Sequence, residues 1–268
     1  MNSIWGPIIK PLLHDRTEKP RLSGTTMVLD KGLGLHAVED FIHTVAPYVD
    51  EVKLTFGTSC CYDRNYLETK IKKLQDADIN VMPGGTLTEL AIFQGQYVPF
   101  LKRCKELGIH TVEVSDGTID ITPQERRDCI QRAADMGFIV YTEVGTKDLD
   151  NPKPTSYLNE QLLQDLENGA AKVVIEAKEA GVKSTIYNEK GVVKPEEVNK
   201  LLVGVSSPNL IIWEAPLRDQ QDFLIGRFGA NINIGNCPPE GVMSLETIRN
   251  GLGETPFRQA FHRNRTTK

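Results

Sequence analysis

The sequence has no run of about 20 consecutive apolar residues, the length a membrane helix needs, so no membrane span is expected. Residues Met1 to Lys10 show no basic stretch followed by a long apolar core, so no secretory signal is expected either. Cysteine is scarce. Cys60, Cys61, Cys104, Cys129 and Cys237 form an odd set without C-x-x-C spacing. A disulfide framework and a structural zinc site are thereby excluded, and the Cys60-Cys61 pair reads as packing and loop chemistry. The five histidines (His14, His36, His43, His110 and His262) lie near the ends or in or beside helical stretches, which leaves a histidine triad or zinc centre without support. Neither sign of charge dominates: 31 Lys plus Arg stand against 36 Asp plus Glu, a formal charge of -5. No general pull toward nucleic acid or an anionic membrane follows, and an anionic ligand must be held by a local cationic site. The expected location is the cytoplasm.

What is present suits a globular chain. Of 268 residues 40% are hydrophobic, enough to bury a sizeable core. Short β-branched runs alternate with longer amphipathic segments throughout. The expected strands are Thr25 to Asp30, Glu51 to Phe56, Asn80 to Met82, Thr111 to Ser115, Ile139 to Glu143, Lys172 to Glu176, Leu210 to Glu214 and Asn231 to Ile234. Between them Phe41, Ile42 and Val45 recur at helical spacing, as do Leu67, Ile71 and Leu74, and Leu162, Leu163 and Leu166. Thr122 before Pro123 has the form of an N-cap followed by a first-turn proline, and Pro195 with Glu196 and Glu197 repeats the device. About eight strand–helix units in roughly 250 residues is the arithmetic of a (β/α)8 TIM-type barrel, an α/β fold. An open doubly wound sheet fits less well, because the first turn, Asp30-Lys31-Gly32-Leu33-Gly34, lacks the G-x-G-x-x-G spacing. No linker divides the chain, so residues 1–268 are read as one domain with peripheral termini at about 1–21 and 253–268. The longest irregular stretch is expected at Lys147 to Ser156.

The carboxyl ends of the expected strands carry polar residues in series: Asp30-Lys31-Gly32, Lys53 with Gly57-Thr58-Ser59, Gly84-Gly85-Thr86, and Glu113 with Ser115-Asp116-Gly117. Glu143 with Lys147, Glu176, Glu214 with Arg218, and Asn233 with Gly235-Asn236 continue it. A barrel gathers these ends on one face. Unpaired carboxylates in strands are costly to desolvate, so these acids need a divalent cation or the interleaved lysines as partners. Glu176 or Glu214 would equally serve to neutralise Lys53 or Arg218. Hard oxygen donors without thiolate or imidazole neighbours favour Mg2+ over zinc. Gly84-Gly85 and Gly235-Asn236 are each expected to join a strand to a helix, where free N–H groups receive an anion. Arg218 beside Gly235-Asn236 is the expected phosphate cradle, and Lys31, Lys53 and Lys147 add point charges.

In their order these motifs resemble the phosphosulfolactate synthase family. The resemblance runs through Asp30-Lys31-Gly32, Phe56-Gly57-Thr58-Ser59, Gly84-Gly85-Thr86-Leu87, Val112 to Gly117, Glu143 to Asp148, Glu214-Ala215-Pro216, Asn233 to Asn236 and Arg249 to Leu252. It implies a (β/α)8 barrel, a homo-oligomer, that adds sulfite to phosphoenolpyruvate with Mg2+, giving (2R)-phospho-3-sulfolactate. In archaeal members this step opens coenzyme M biosynthesis, and bacterial relatives are linked to sulfolactate formation. Carried over, Lys147 is the catalytic lysine, with Asp30, Glu113 and Glu143 as acidic cavity residues and candidate metal ligands. Lys53 and Lys31 join Lys147 as catalytic candidates, and Arg218, Gly84, Gly85, Ser115, Gly235 and Asn236 are candidate substrate contacts. One departure is Thr146, where the family pattern commonly carries a lysine; a cation is lost there. The same polar face would serve another metal-assisted lyase or aldolase acting on an enol phosphate or phosphorylated oxo-acid, or a non-catalytic barrel with a binding or stress role. Sulfite-dependent consumption of phosphoenolpyruvate separates these.

Overall fold

Eight short strands, each followed by helix or long loop, build a parallel barrel in the computed structural model, which describes residues 4–145 and 152–266. The strands are β1 (Thr26–Asp30), β2 (Glu51–Leu54), β3 (Asn80–Pro83), β4 (Thr111–Val114), β5 (Ile139–Val144), β6 (Lys172–Ile175), β7 (Ile211–Glu214) and β8 (Asn233–Cys237). The helices are α1 (Leu35–Val45), α2 (Arg64–Gln75), α3 (Gly85–Phe93), α4 (Tyr97–Glu106), α5 (Pro123–Asp135), α6 (Thr155–Glu167), α7 (Pro195–Leu201), α8 (Arg218–Phe228), α9 (Val242–Arg249) and α10 (Glu254–Thr266). Parallel ladders follow the order β3-β2-β1-β8-β7-β6-β5-β4. Between β3 and β4 the strands lie side by side without a ladder among the described residues, and Pro83, at the end of β3, has no N–H to give one. The expected (β/α)8 barrel is therefore the observed architecture. No described helix is long and apolar enough to cross a membrane.

Local signals act as their chemistry dictates. Phe41 and Val45 bury one face of α1, Leu67, Ile71 and Leu74 one face of α2, and Leu158 and Leu162 one face of α6. Thr122 closes a reciprocal capping box with Glu125 at the start of α5, with Pro123 in the first turn. Pro195, Glu196 and Glu197 open α7.

Alternation along the strands sorts the interior into layers. Met27, Met82, Tyr141, Val174 and Ile212 form an apolar plug across the barrel. Above it, toward the carboxyl ends, lies the polar layer described below. Beneath it Glu51 accepts a 2.5 Å hydrogen bond from the Tyr141 hydroxyl, while its Oε2 is buried without a hydrogen-bond partner among the described residues. At the base Arg249 is fully buried and donates to the carbonyls of Ala230, Ile232 and Thr25.

Three features depart from the expected layout. The strand expected at Asn231 to Ile234 runs instead from Asn233 to Cys237. Asn231 is engaged in holding the amino-terminal segment, its Oδ1 accepting from Thr17 N–H and Oγ1 at 3.0 Å each. Gly235 and Asn236 consequently lie inside the strand. Second, the chain from 176 to 194, between β6 and α7, has no helix or strand and exceeds the irregular stretch expected at Lys147 to Ser156. It is pinned rather than loose: Gln220 Nε2 donates to the carbonyls of Gly181 (2.7 Å) and Gly191 (3.0 Å), and the buried Tyr187 hydroxyl donates to that of Glu214 (2.8 Å). Third, the amino-terminal segment is not merely peripheral. Arg16 pairs with Glu246 and Arg21 with Asp50, both at 3.1 Å, and the Leu12 and Leu13 amides donate to Asn250 O, sealing the barrel base.

Glu51 makes stability depend on pH. Burial pushes its carboxyl up to about 7 from an ordinary value of 4.5, against the pull of the Tyr141 hydrogen bond and Lys172. A raised carboxyl contributes fully below the unfolded value and loses that contribution as pH rises through the folded one. Unfolding free energy should therefore fall between about pH 4.5 and 7, and Glu51→Gln should flatten that fall. Denaturant titrations of both proteins across this window check it; parallel pH profiles would contradict it.

Candidate active site

Lys53 is the third residue of β2 and points up the barrel axis, where three later strands answer it with carboxylates. Its Nζ lies 2.8 Å from Glu113 Oε2 on β4, 3.4 Å from Glu143 Oε2 on β5 and 3.3 Å from Glu214 Oε1 on β7. All four side chains are buried. Burial alone would depress the ammonium, but Glu113, Glu214 and Glu143 outweigh it and hold its pKa well above the usual lysine value. Lys53 is thus a fixed charge at working pH. The same burial pushes Glu113 up to about 7 and raises Glu214, against the pull of Lys53.

Each carboxylate has a second anchor. Glu113 Oε1 accepts from the Gly85 amide at 2.8 Å, bridging the β3–β4 seam. A Cβ at Gly85 would lie 2.6 Å from that oxygen and 2.7 Å from Ser115 Cβ, so this approach requires glycine. Glu214 Oε2 accepts from the Ala177 amide at 2.9 Å. Ser115 Oγ lies 3.0 Å from Glu143 Oε1 and 2.8 Å from Glu89 Oε1, and Glu89 Oε2 in turn accepts from the amides of Thr118 and Ile119.

A cavity of about 50 Å³ opens above this cluster, lined by Lys53, Glu113, Glu143, Glu176, Glu214 and Asn236, together with Gly84, Gly85, Thr86, Phe56, Lys178 and Glu179. Lys53, Glu113, Glu143, Gly84, Gly85 and Asn236 are thus brought together from distant parts of the chain. Ser115 stands behind Glu143 as a brace. Lys31 sits half-exposed and pairs with Glu179 of the β6–α7 loop.

Several expected placements are corrected. Asp30 does not line the cavity: Oδ1 accepts from the Gly32 and Leu33 amides at 2.7 and 2.8 Å, and Oδ2 lies 2.5 Å from the buried Lys70 ammonium on α2. It shapes the turn that carries Lys31. Arg218 leaves the site because it opens α8 and its side chain runs toward α9, where it reaches Ser244 Oγ at 3.2 Å. The Gly84-Gly85 helix entry exists as expected, but the Gly85 amide is taken by Glu113 rather than left open. Gly235-Asn236 is no helix entry. At Gly235 a Cβ would lie 2.8 Å from Met27 Cε and 2.9 Å from Ile212 Cγ2, so this glycine serves the apolar plug. Thr146 and Lys147 lie outside the described residues.

Lys178 and Glu179 reach the cavity without belonging to any motif that marks them, and Phe56 reaches it though it is not among the candidate site residues. A signal does exist for Phe56: Gly57 follows it, and both take left-handed backbone, which ends β2 two residues before the expected Phe56. Lys70 could not be found from sequence, since nothing in α2 marks one of its lysines as buried.

The donor set is oxygen-only, as a hard divalent cation requires. Among the described lining residues five glutamates oppose two lysines, an excess of negative charge that such a cation would offset. Asp30, Glu113 and Glu143 are not brought together as a ligand trio, and no described group of three or more His, Cys, Asp or Glu is arranged around a common metal position. Lys53 holds the point where Glu113, Glu143 and Glu214 converge. The arrangement therefore fits a cation carried by one or two carboxylates plus substrate, the usual manner of Mg2+.

A family model described as (2R)-phospho-3-sulfolactate synthase (ComA) matches residues 14–255. The chain is 42% identical over 235 residues to the phosphosulfolactate synthase of Methanocaldococcus jannaschii, covering 87% of this chain and 93% of that one. It is 38% identical over 247 residues to the phosphosulfolactate synthase of Methanothermobacter thermautotrophicus, covering 91% and 95%. Among solved structures, 3-hexulose-6-phosphate synthase from Salmonella typhimurium superposes with a TM-score of 0.54 at 14% identity, over 85% of this chain and all of that one, a likeness of fold alone. With a family match spanning most of its length and relatives this similar, the chain belongs to the phosphosulfolactate synthase (ComA) family.

Proposed function

We propose that the protein is a phosphosulfolactate synthase that joins sulfite to phosphoenolpyruvate to give (2R)-phospho-3-sulfolactate. Identity of 42% to a curated synthase across 87% of the chain is the observation that carries the reading. The acid-and-lysine cavity at the carboxyl ends of the strands supports it.

The chemistry sets two demands. The sulfur lone pair of sulfite attacks the methylene carbon, forming the C–S bond while the double-bond pair moves onto the phosphate-bearing carbon and into the carboxylate. Two anions must therefore approach within bonding distance, and the new charge must be held until a proton reaches that carbon. A narrow, water-poor cavity strengthens every charge interaction within it. Lys53, kept cationic by its three glutamates, supplies fixed positive charge at the floor. Glu143 and Glu176 would hold Mg2+, which supplies electrostatic stabilisation of the substrate carboxylate as charge develops there. Lys147, two residues beyond Gly145 at the end of β5, is proposed as the group that delivers the proton to the phosphate-bearing carbon. Lys178, which lines the cavity, and Lys31, paired with the lining residue Glu179, are proposed to meet the phosphate as it enters.

Purified protein with Mg2+, phosphoenolpyruvate and sulfite should form an adduct detectable by mass, and only when sulfite is present; consumption of phosphoenolpyruvate without sulfite would point to another lyase. Lys147→Ala should lower turnover by about 100-fold or more while circular dichroism stays unchanged. Near wild-type rates in that variant would remove Lys147 as proton donor. Excess EDTA should abolish turnover and added Mg2+ restore it, whereas full activity in EDTA would take the metal out of the reaction.

A further inference from the structure

We propose that Asn236 binds the divalent cation of the cavity directly through its side-chain oxygen. The proposal rests on the Mg2+ reading given above. Along β8 the register with β1 shifts: Thr26 lies opposite Ile234, yet Val28 lies opposite Cys237, so β8 holds one residue more than its partner over this span. This is a β-bulge, a device that re-aims a side chain. In a regular strand Gly235 would face inward and Asn236 outward. Here both face the interior, because Asn236 adopts left-handed backbone with φ 51°. Gly235 faces the plug through Met27 and Ile212, and Asn236 faces the cavity beside Glu214.

Asn236 is only 6% exposed, and its Oδ1 is buried without a hydrogen-bond partner among the described residues. Left-handed backbone at a non-glycine residue and an unpaired buried amide oxygen both cost stability, and such costs gather where a ligand recovers them. The missing partner must be electropositive. Neither lining lysine serves: the three N–H bonds of Lys53 face Glu113, Glu143 and Glu214, and Lys178 makes no hydrogen bond to this oxygen. The substrate anions do not serve either, since their carboxylate, phosphate and sulfite oxygens are themselves acceptors. A bare amide oxygen among five glutamates is repelled unless a cation stands between them. Mg2+ takes oxygen ligands of both kinds, carboxylate and neutral carbonyl, so Oδ1 adds a ligand without adding negative charge.

Mn2+ serves as the probe, its free concentration read by electron paramagnetic resonance in titrations of the protein with saturating phosphoenolpyruvate and no sulfite, against a phosphoenolpyruvate-only control. Asn236→Gly removes the carboxamide and suits the left-handed backbone; it should weaken Mn2+ binding about tenfold or more while thermal melts show an intact fold. Asn236→Asp keeps an oxygen in place and should bind Mn2+ as tightly as wild type or more so. Wild-type affinity in the glycine variant overturns the proposal, as does weakened binding in the aspartate variant, the result expected if the amide instead donates to a glutamate. Failure of wild type to bind Mn2+ overturns it too. The adduct assay keeps this separate from the synthase reading. Adduct formation with unchanged Mn2+ binding in Asn236→Gly sinks only the ligand assignment, whereas the expected affinity order without adduct leaves the ligand and sinks the synthase.

Discussion

One ammonium inside the barrel holds three carboxylates from three strands, and the site is organised around that contact. Lys53 comes from β2, its partners from β4, β5 and β7, so the pairing ties the two halves of the barrel across the interior. The arrangement is asymmetric in energy. Three buried glutamates without the lysine would repel one another in a low-dielectric space, whereas the lysine without them would be an unpaired buried cation. Neither exists comfortably alone, which fixes the geometry of the cavity floor before any ligand enters.

The surrounding structure reads as support for this contact. Ser115 and Glu89 brace Glu143 from one side. On the other, Arg126 of α5 donates to the Glu143 carbonyl at 3.0 Å while gripping Asp165 and Asp116. The Gly85 amide fixes Glu113 across the β3–β4 seam, which has no ladder among the described residues. Asp30, paired with Lys70, sets the turn that carries Lys31, which pairs with the lining residue Glu179. Even the apolar plug contributes, because Met27 and Ile212 leave no room for a side chain at Gly235 and so push the polar function of β8 to Asn236. On the proposed function an acidic cavity for anionic substrates is intelligible: the excess of carboxylate would recruit a divalent cation, and the cation would recruit the anions.

Much of this was legible in the sequence. Short β-branched runs, helical spacing of apolar residues, capping signals and the count of strand–helix units carry the barrel. The acids at strand ends mark the cavity for the same reason, because a charged residue in a buried strand has to have a partner. What the sequence could not supply was the pairing itself. Asp30 and Glu113 look alike in one dimension, yet one faces Lys70 outside the cavity and the other faces Lys53 within it. Arg218 carries the right charge at the right strand end, but the direction of its helix takes it away. Gly235-Asn236 has the composition of a turn and proves to be a bulge, a distinction that depends on register with β1 rather than on residue type. Lys178 and Glu179 arrive on a long loop whose path is set by Gln220 and Tyr187, partners distant in sequence.

The most direct test of the central contact is a double-mutant cycle in unfolding free energy. Lys53→Met should cost about 3–5 kcal/mol by leaving three buried carboxylates without their cation, and adding Glu113→Gln should recover part of that loss. A Lys53→Met protein as stable as wild type, or a double variant whose losses simply add, would show that the ammonium does not organise the barrel interior.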